Sequence, residues 1–151
     1  MKARGEKSIV SPVPIDAFWA TITDYLAYPA ILEDIKSAEI VSRHGNVVVV
    51  SYQLRVLLKS FDYTLRMVEE APRALTWSLV SSRTLTQNDG GWELEALSPR
   101  ETRVTYWNHL ATRLPLPRAF INALARLALP GMLKRWSGYA EQRAADRTGL
   151  T

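Results

Sequence analysis

The hydrophobic period of this chain changes near Ser37 and again near Arg118, and those changes limit the folds open to it. From Ser37 to Thr112 apolar residues recur at every second position, the repeat of half-buried strands. From Arg118 to about Arg147 they recur at spacings of three and four, the repeat of a helix. A chain of 151 residues that commits its middle to strands and its end to one long helix is an α+β protein, with helices covering one face of a curved antiparallel sheet. No internal repeat, low-complexity tract or linker-like shift in composition divides it, so residues 1–151 read as one domain.

The sequence also marks the elements within each period. Lys7 to Ser11 reads as a strand that stops at Pro12-Val13-Pro14. Phe18, Trp19 and Ile22 follow at helical spacing behind Pro14 and Asp16, and Asp24 suits the cap of a second short, proline-broken helix. Ala38 to Arg43 and Val47 to Leu58 form a hairpin about His44-Gly45-Asn46. Further strands follow. Leu65 and Met67 share one face of the next, which ends at Ala71-Pro72-Arg73. Trp77 shares a face with Leu75 and Leu79, Trp92 with Leu94, and Tyr106 with Val104 and Leu110. Asn88-Asp89-Gly90-Gly91 reads as the turn, or a bulge, ahead of the Trp92 strand. Pro130-Gly131 should kink or split the terminal helix, as a hinge or as a static break.

Several chemistries are excluded early. There is no cysteine, so thiol catalysis, thiolate metal sites and disulfide switching are absent. With two histidines, His44 and His109, no metal motif forms; nor does a phosphate loop or nucleophile elbow, and no cofactor is called for. The net charge of +4 is scattered among acidic residues rather than clustered, which argues against nucleic acid. The charged N-terminus does not read as a signal peptide and no apolar run is long enough to cross a bilayer. A cytoplasmic protein, with peripheral membrane contact open to it, is the expectation.

At this point the residues resemble a family. The order of elements, with Asp24-Tyr25-Leu26-Ala27-Tyr28-Pro29 in the helical break, Gly91-Trp92-Glu93-Leu94, and Thr102-Arg103-Val104-Thr105-Tyr106 in the last strand, is similar to the START-related helix-grip superfamily (SRPBCC). Within it the chain most resembles the polyketide cyclase/dehydrase and coenzyme Q-binding branch. The resemblance implies a seven-stranded antiparallel sheet wrapped around a long C-terminal helix, with two short helices between strands 1 and 2. It also implies an apolar cavity for a lipid, quinone, sterol or polycyclic ligand. It implies no single reaction, because carriers and cyclases share the scaffold.

Candidate ligand-cavity residues follow. Trp77, Trp92 and Tyr106 lie in phase with aliphatic neighbours on the sheet, as either core or cavity wall. Tyr25 and Tyr28 occupy the broken helical segment, where the resemblance puts the cavity mouth. The segment from Ala119 to Leu133 carries one charge, Arg126, so Phe120, Leu124 and Leu133 are either deep core or cavity wall. Arg113, Arg118, Arg126, Lys134 and Arg135 border or interrupt that apolar run and suit transient contact with an anionic membrane surface. The first functional expectation is non-catalytic binding or transport of a hydrophobic small molecule. The alternative is a polyketide-type aromatase/cyclase in the same cavity, with Arg66, Tyr106 and His109 as its polar candidates. A third reading, docking of a protein partner, would show a filled cavity and an exposed apolar patch.

Overall fold

A computed structural model describes residues 2–56, 58–113, 117 and 130–149. The chain runs β1 (Lys2–Ser11), α1 (Ile15–Ile22), a 3-10 turn (Tyr25–Ala27), α2 (Tyr28–Ile31), β2 (Ile35–His44), β3 (Val47–Val56), β4 (Lys59–Glu70), β5 (Ala74–Ser82), β6 (Leu85–Ser98), β7 (Glu101–Thr112) and α3 (Pro130–Gly149). The seven strands form one antiparallel sheet in the order β1-β7-β6-β5-β4-β3-β2. Period-two sequence thus becomes a meander, and β1 closes back on β7. Gly45 takes φ 61° at the β2–β3 turn, the left-handed geometry that a two-residue hairpin favours.

The sheet bends where its ladder is interrupted. β5 pairs with β6 from Ala74↔Glu93 to Trp77↔Gly90, and no pairing between them continues toward the hairpin tip. In the same region Val80 is skipped in the β4–β5 register and Thr86 in the β6–β7 register. Bulges of this kind raise local twist and bend a strand.

Three local expectations are corrected. Asn88-Asp89-Gly90-Gly91 is no turn, since β6 runs through it. The two glycines make room for indoles: a Cβ on Gly90 would lie 2.5 Å from Trp77 Cζ2, and one on Gly91 2.8 Å from Trp107 Nε1. β1 starts at Lys2 rather than Lys7, because its charged first half pairs along β7 from Lys2↔Ala111. Asp24 makes no capping hydrogen bond with its side chain; its carboxylate accepts from Arg143 at 3.0 Å.

The concave face of the sheet is apolar and is covered by α1, α2 and α3. Val48, Val50, Leu75 and Val104 of the sheet, Phe18 and Ile22 of α1, and Leu133 of α3 are all wholly buried. Polar contacts hold α3 to its neighbours: Ser11 and Ser137 share a buried hydrogen bond of 2.6 Å, Tyr139 donates to the Ala30 carbonyl at 2.7 Å, and Arg147 pairs with Asp16 at 3.3 Å. Pro130 is the first described residue of α3. The expected kink or hinge concerns segments on both sides of it, and residues 118–129 lie outside the described residues.

The two kinds of glycine predict opposite signs. Gly90→Ala drives a methyl into the Trp77 ring and should destabilise the fold by about 1–3 kcal/mol. Gly138→Ala, in α3 with nothing near its added Cβ, should stabilise by about 0.5–1 kcal/mol. Urea denaturation of both variants checks the pair; a Gly90→Ala protein as stable as the parent would contradict the packing account.

Candidate functional site

Alternation along the strands sends a set of rings to the concave face, and α2 and α3 complete it. Tyr63 of β4 lies 5.4 Å from Tyr52 of β3, ring centroid to ring centroid; Tyr52 stacks on Tyr28 of α2 at 5.6 Å. Tyr28 meets Trp136 of α3 edge-on at 4.8 Å, and Trp136 meets Trp92 of β6 at 5.5 Å. Trp92 then contacts Tyr106 of β7 at 4.7 Å, and Tyr106 contacts Trp77 of β5 at 5.7 Å. These spacings are those of favourable aromatic pairs, each worth about 0.5–1.5 kcal/mol beyond buried area.

All of these rings line one cavity of about 80 Å³, together with aliphatic residues such as Leu32, Leu65 and Met132, and with Asn88 and Asn108. No charged side chain is among the described lining residues. The polar groups there are neutral and partly paired. Tyr28 donates to the Ile22 carbonyl at 2.6 Å, Trp77 Nε1 donates to Asn88 Oδ1 at 3.2 Å, and Asn108 Nδ2 donates to the Tyr106 hydroxyl at 3.3 Å. Tyr52 Oη, Trp136 Nε1 and Asn108 Oδ1 are buried with no hydrogen-bond partner among the described residues.

Burial pushes the phenols of Tyr28, Tyr52, Tyr63 and Tyr106 above the ordinary value of 10.0, because the phenolate would lose its hydration. They are hydrogen-bonding phenols at neutral pH rather than bases. Tyr25 is raised for the same reason, and further by the hydrogen bond it donates to Glu69 Oε2 at 2.6 Å. Arg43 donates to both oxygens of that carboxylate, at 3.1 and 3.4 Å. Glu69 therefore fastens the 3-10 turn to the end of the sheet.

Among the residues expected at a ligand cavity, Tyr28, Trp77, Trp92 and Tyr106 come together on its wall. Tyr25 and Leu133 are buried in the core but are not among the lining residues. Phe120 and Leu124 lie outside the described residues, as do Arg118 and Arg126. Arg113, Lys134 and Arg135 are exposed. The polar trio of the alternative reading is split by strand parity: Tyr106 faces inward, whereas Arg66 is exposed on β4 and His109 stands on the outer face beside Trp107, 3.7 Å from Asp89.

Tyr52, Tyr63, Asn88, Asn108 and Trp136 were missing from the sequence-based set. Tyr52 shares the parity of Val48 and Val50, Tyr63 that of Leu65 and Asn108 that of Tyr106, so alternation could have found them. Asn88 was hidden by reading its strand as a turn. Among the described residues no three His, Asp or Glu side chains gather to hold a metal, and no helix is long and apolar enough to cross a membrane.

An antiparallel sheet wrapped on a C-terminal helix, with short helices between its first two strands, is the helix-grip α+β fold. The chain belongs to the family described as polyketide cyclase / dehydrase and lipid transport, whose model matches residues 11–136. Solved structures share the fold. The Zhui aromatase/cyclase of Streptomyces sp. R1128 is 18% identical at a TM-score of 0.82, with 95% of this chain and 96% of that one covered. A START superfamily protein from Mycobacterium smegmatis is 18% identical at a TM-score of 0.78, covering 92% and 97%. The major latex-like protein of Panax ginseng is 10% identical at 0.66, covering 92% and 97%. No curated protein matches the chain by sequence.

Two outcomes test the site as built. Glu69→Ala leaves the Tyr25 hydroxyl buried without its acceptor and should cost about 1–3 kcal/mol in thermal or urea unfolding. Because the five buried phenols are raised above their unfolded value, their contribution to stability is complete below pH 10 and is lost as pH climbs past it. Alkaline titration at 295 nm should therefore show them ionising together with the loss of near-UV circular dichroism. Ionisation of all five in a protein that stays folded would contradict the burial.

Proposed function

We propose that this domain binds a hydrophobic small molecule between its sheet and α3 and carries it without transforming it. The ligand classes that suit the cavity are lipids, isoprenoid quinones and polycyclic compounds. One observation carries the reading: a wall of linked aromatic rings, with no charged side chain among its described residues, surrounds space that the core leaves unfilled. The lipid-transport half of the family description supports it. Exposed Arg113, Lys134 and Arg135 support exchange at an anionic membrane surface.

The cavity volume sets a condition on binding. At about 80 Å³ it is roughly half the 150 Å³ of an apolar cavity known to hold one benzene ring. A polycyclic ligand therefore requires the walls to part. Among the contacts fastening α3, Arg143–Asp24 is half-buried, whereas Arg147–Asp16 is a solvent-exposed pair worth no more than about 1 kcal/mol. Outward displacement of the helix is thus inexpensive at that rim.

The second reading, an aromatase/cyclase, draws on the cyclase half of the family description and on the likeness to Zhui. Ring closure needs carbonyls polarised and protons moved by groups that titrate near neutrality. The described cavity wall offers neutral donors and no carboxylate, imidazole or guanidinium.

Native mass spectrometry and solvent extraction of the purified protein, with titration of a quinone, a fatty alcohol and a sterol, test the proposal. Uptake of at least one in a one-to-one complex, released chemically unchanged, is the expected result. An empty protein that takes up none of them would overturn it.

A further inference from the structure

We propose that the tip of the β3–β4 hairpin is a membrane anchor, with Leu58 entering an anionic lipid interface beside the cations Arg55 and Lys59. This deepens the membrane-exchange reading above by naming the residue that makes the contact, and its test needs no ligand. β3 and β4 pair as far as Val56↔Lys59, so only Leu57 and Leu58 connect them. Two-residue connections favour asparagine and glycine, because their backbone takes positive φ. The β2–β3 turn meets that demand with Gly45 at φ 61°. At the β3–β4 tip the demand falls on a leucine. Leu58 takes φ 72°, the one non-glycine among the described residues in that region, where a bulky side chain is disfavoured. It is also 85% exposed, more than any other large apolar residue described. Leu58 is thus unfavourable in its backbone and in water together, and burial within the fold offsets neither. Entry into lipid would take its side chain out of water and recover that transfer free energy.

The surroundings of the tip select the partner. Arg55 and Lys59 are exposed on either side of it, and among the described residues neither forms an ion pair. The first acid along β4, Asp62, is engaged by Arg83 at 3.2 Å. Arg113 stands at the same end of the sheet, its backbone N–H donating to the Thr84 carbonyl at 3.2 Å. One protruding leucine is far smaller than the patch a stable protein interface needs. Cations on long aliphatic stems beside an apolar side chain suit the lipid interface instead, where the stems lie in the apolar layer and the charges meet anionic headgroups. Ile35 and Leu54, paired two residues behind Val56, line the cavity. An anchor at Leu58 therefore holds that end of the cavity toward the lipid.

The chain has no cysteine, so Leu58→Cys and His44→Cys each accept a single environment-sensitive fluorophore, the second beside the turn at the other end of β3. Vesicles of phosphatidylcholine with phosphatidylserine should blue-shift the label at the Leu58 position and leave that at the His44 position unchanged. Leu58→Asn removes the apolar side chain and supplies a residue that tolerates positive φ. Without a label, it should bind these vesicles about tenfold more weakly than the parent and melt about 2 °C higher. Lys59→Gln should weaken binding about fivefold, and only where phosphatidylserine is present. A Leu58→Asn protein that binds as tightly as its parent, or a label that shifts at His44 and not at Leu58, would overturn the anchor. A lower melting temperature for Leu58→Asn would show that Leu58 stabilises the fold and would overturn its assignment to the membrane. Self-association in sedimentation that Leu58→Asn abolishes would overturn it too, by giving the tip to a second copy. Failure to bind either kind of vesicle would overturn the anchor, and uptake of a hydrophobic ligand by the same protein would leave the cavity reading standing without it.

Discussion

Trp136 is where the helix, the short-helix cover and the sheet meet. Its indole stands edge-on to Tyr28 of α2 and to Trp92 of β6, while its own helix is fixed to β1 by the buried Ser11–Ser137 hydrogen bond. Each wall of the cavity therefore takes its position from a ring contact with α3. Moving that helix separates aromatic pairs on both sides at once, which links access to the cavity with the packing of the whole interior. Farther along α3 the half-buried Arg143–Asp24 pair gives way to the exposed Arg147–Asp16 pair, which binds the helix end loosely. Aromatic contact is thus concentrated in the middle of the helix and polar contact toward its end.

The sheet is shaped to the same end. Gly90 and Gly91 remove side chains where Trp77 and Trp107 need room, and the interrupted β5–β6 ladder sits beside them. Strand parity then separates two aromatic populations: Trp77, Trp92 and Tyr106 face the cavity, while Trp107 and His109 meet edge-on on the outer face. The titratable side chains that a cyclase would recruit, Arg66 and His109, stand on the side away from the cavity.

Much of the architecture was legible in the sequence because a half-buried sheet and a buried helix impose different periods on apolar residues. The strands of the middle and the terminal helix follow from that, prolines marked the first strand and the short helices, and the resemblance supplied the seven-stranded arrangement. What escaped has physical reasons. Asn-Asp-Gly-Gly carries turn chemistry in isolation, but here tertiary packing of two indoles claims the glycines. Asp24 has the composition of a cap, yet Arg143, 119 positions away in sequence, takes its carboxylate. The cavity wall also holds Asn108, whose Oδ1 finds no hydrogen-bond partner among the described residues, a property no local pattern encodes.

The account turns on whether a neutral ring enters among these indoles. The five tryptophan side chains give five indole N–H signals in a proton–nitrogen correlation spectrum. On addition of naphthalene the signals of Trp77, Trp92 and Trp136 should shift, while Trp107 on the outer face stays in place. A spectrum in which Trp107 moves and the three cavity indoles do not would contradict it.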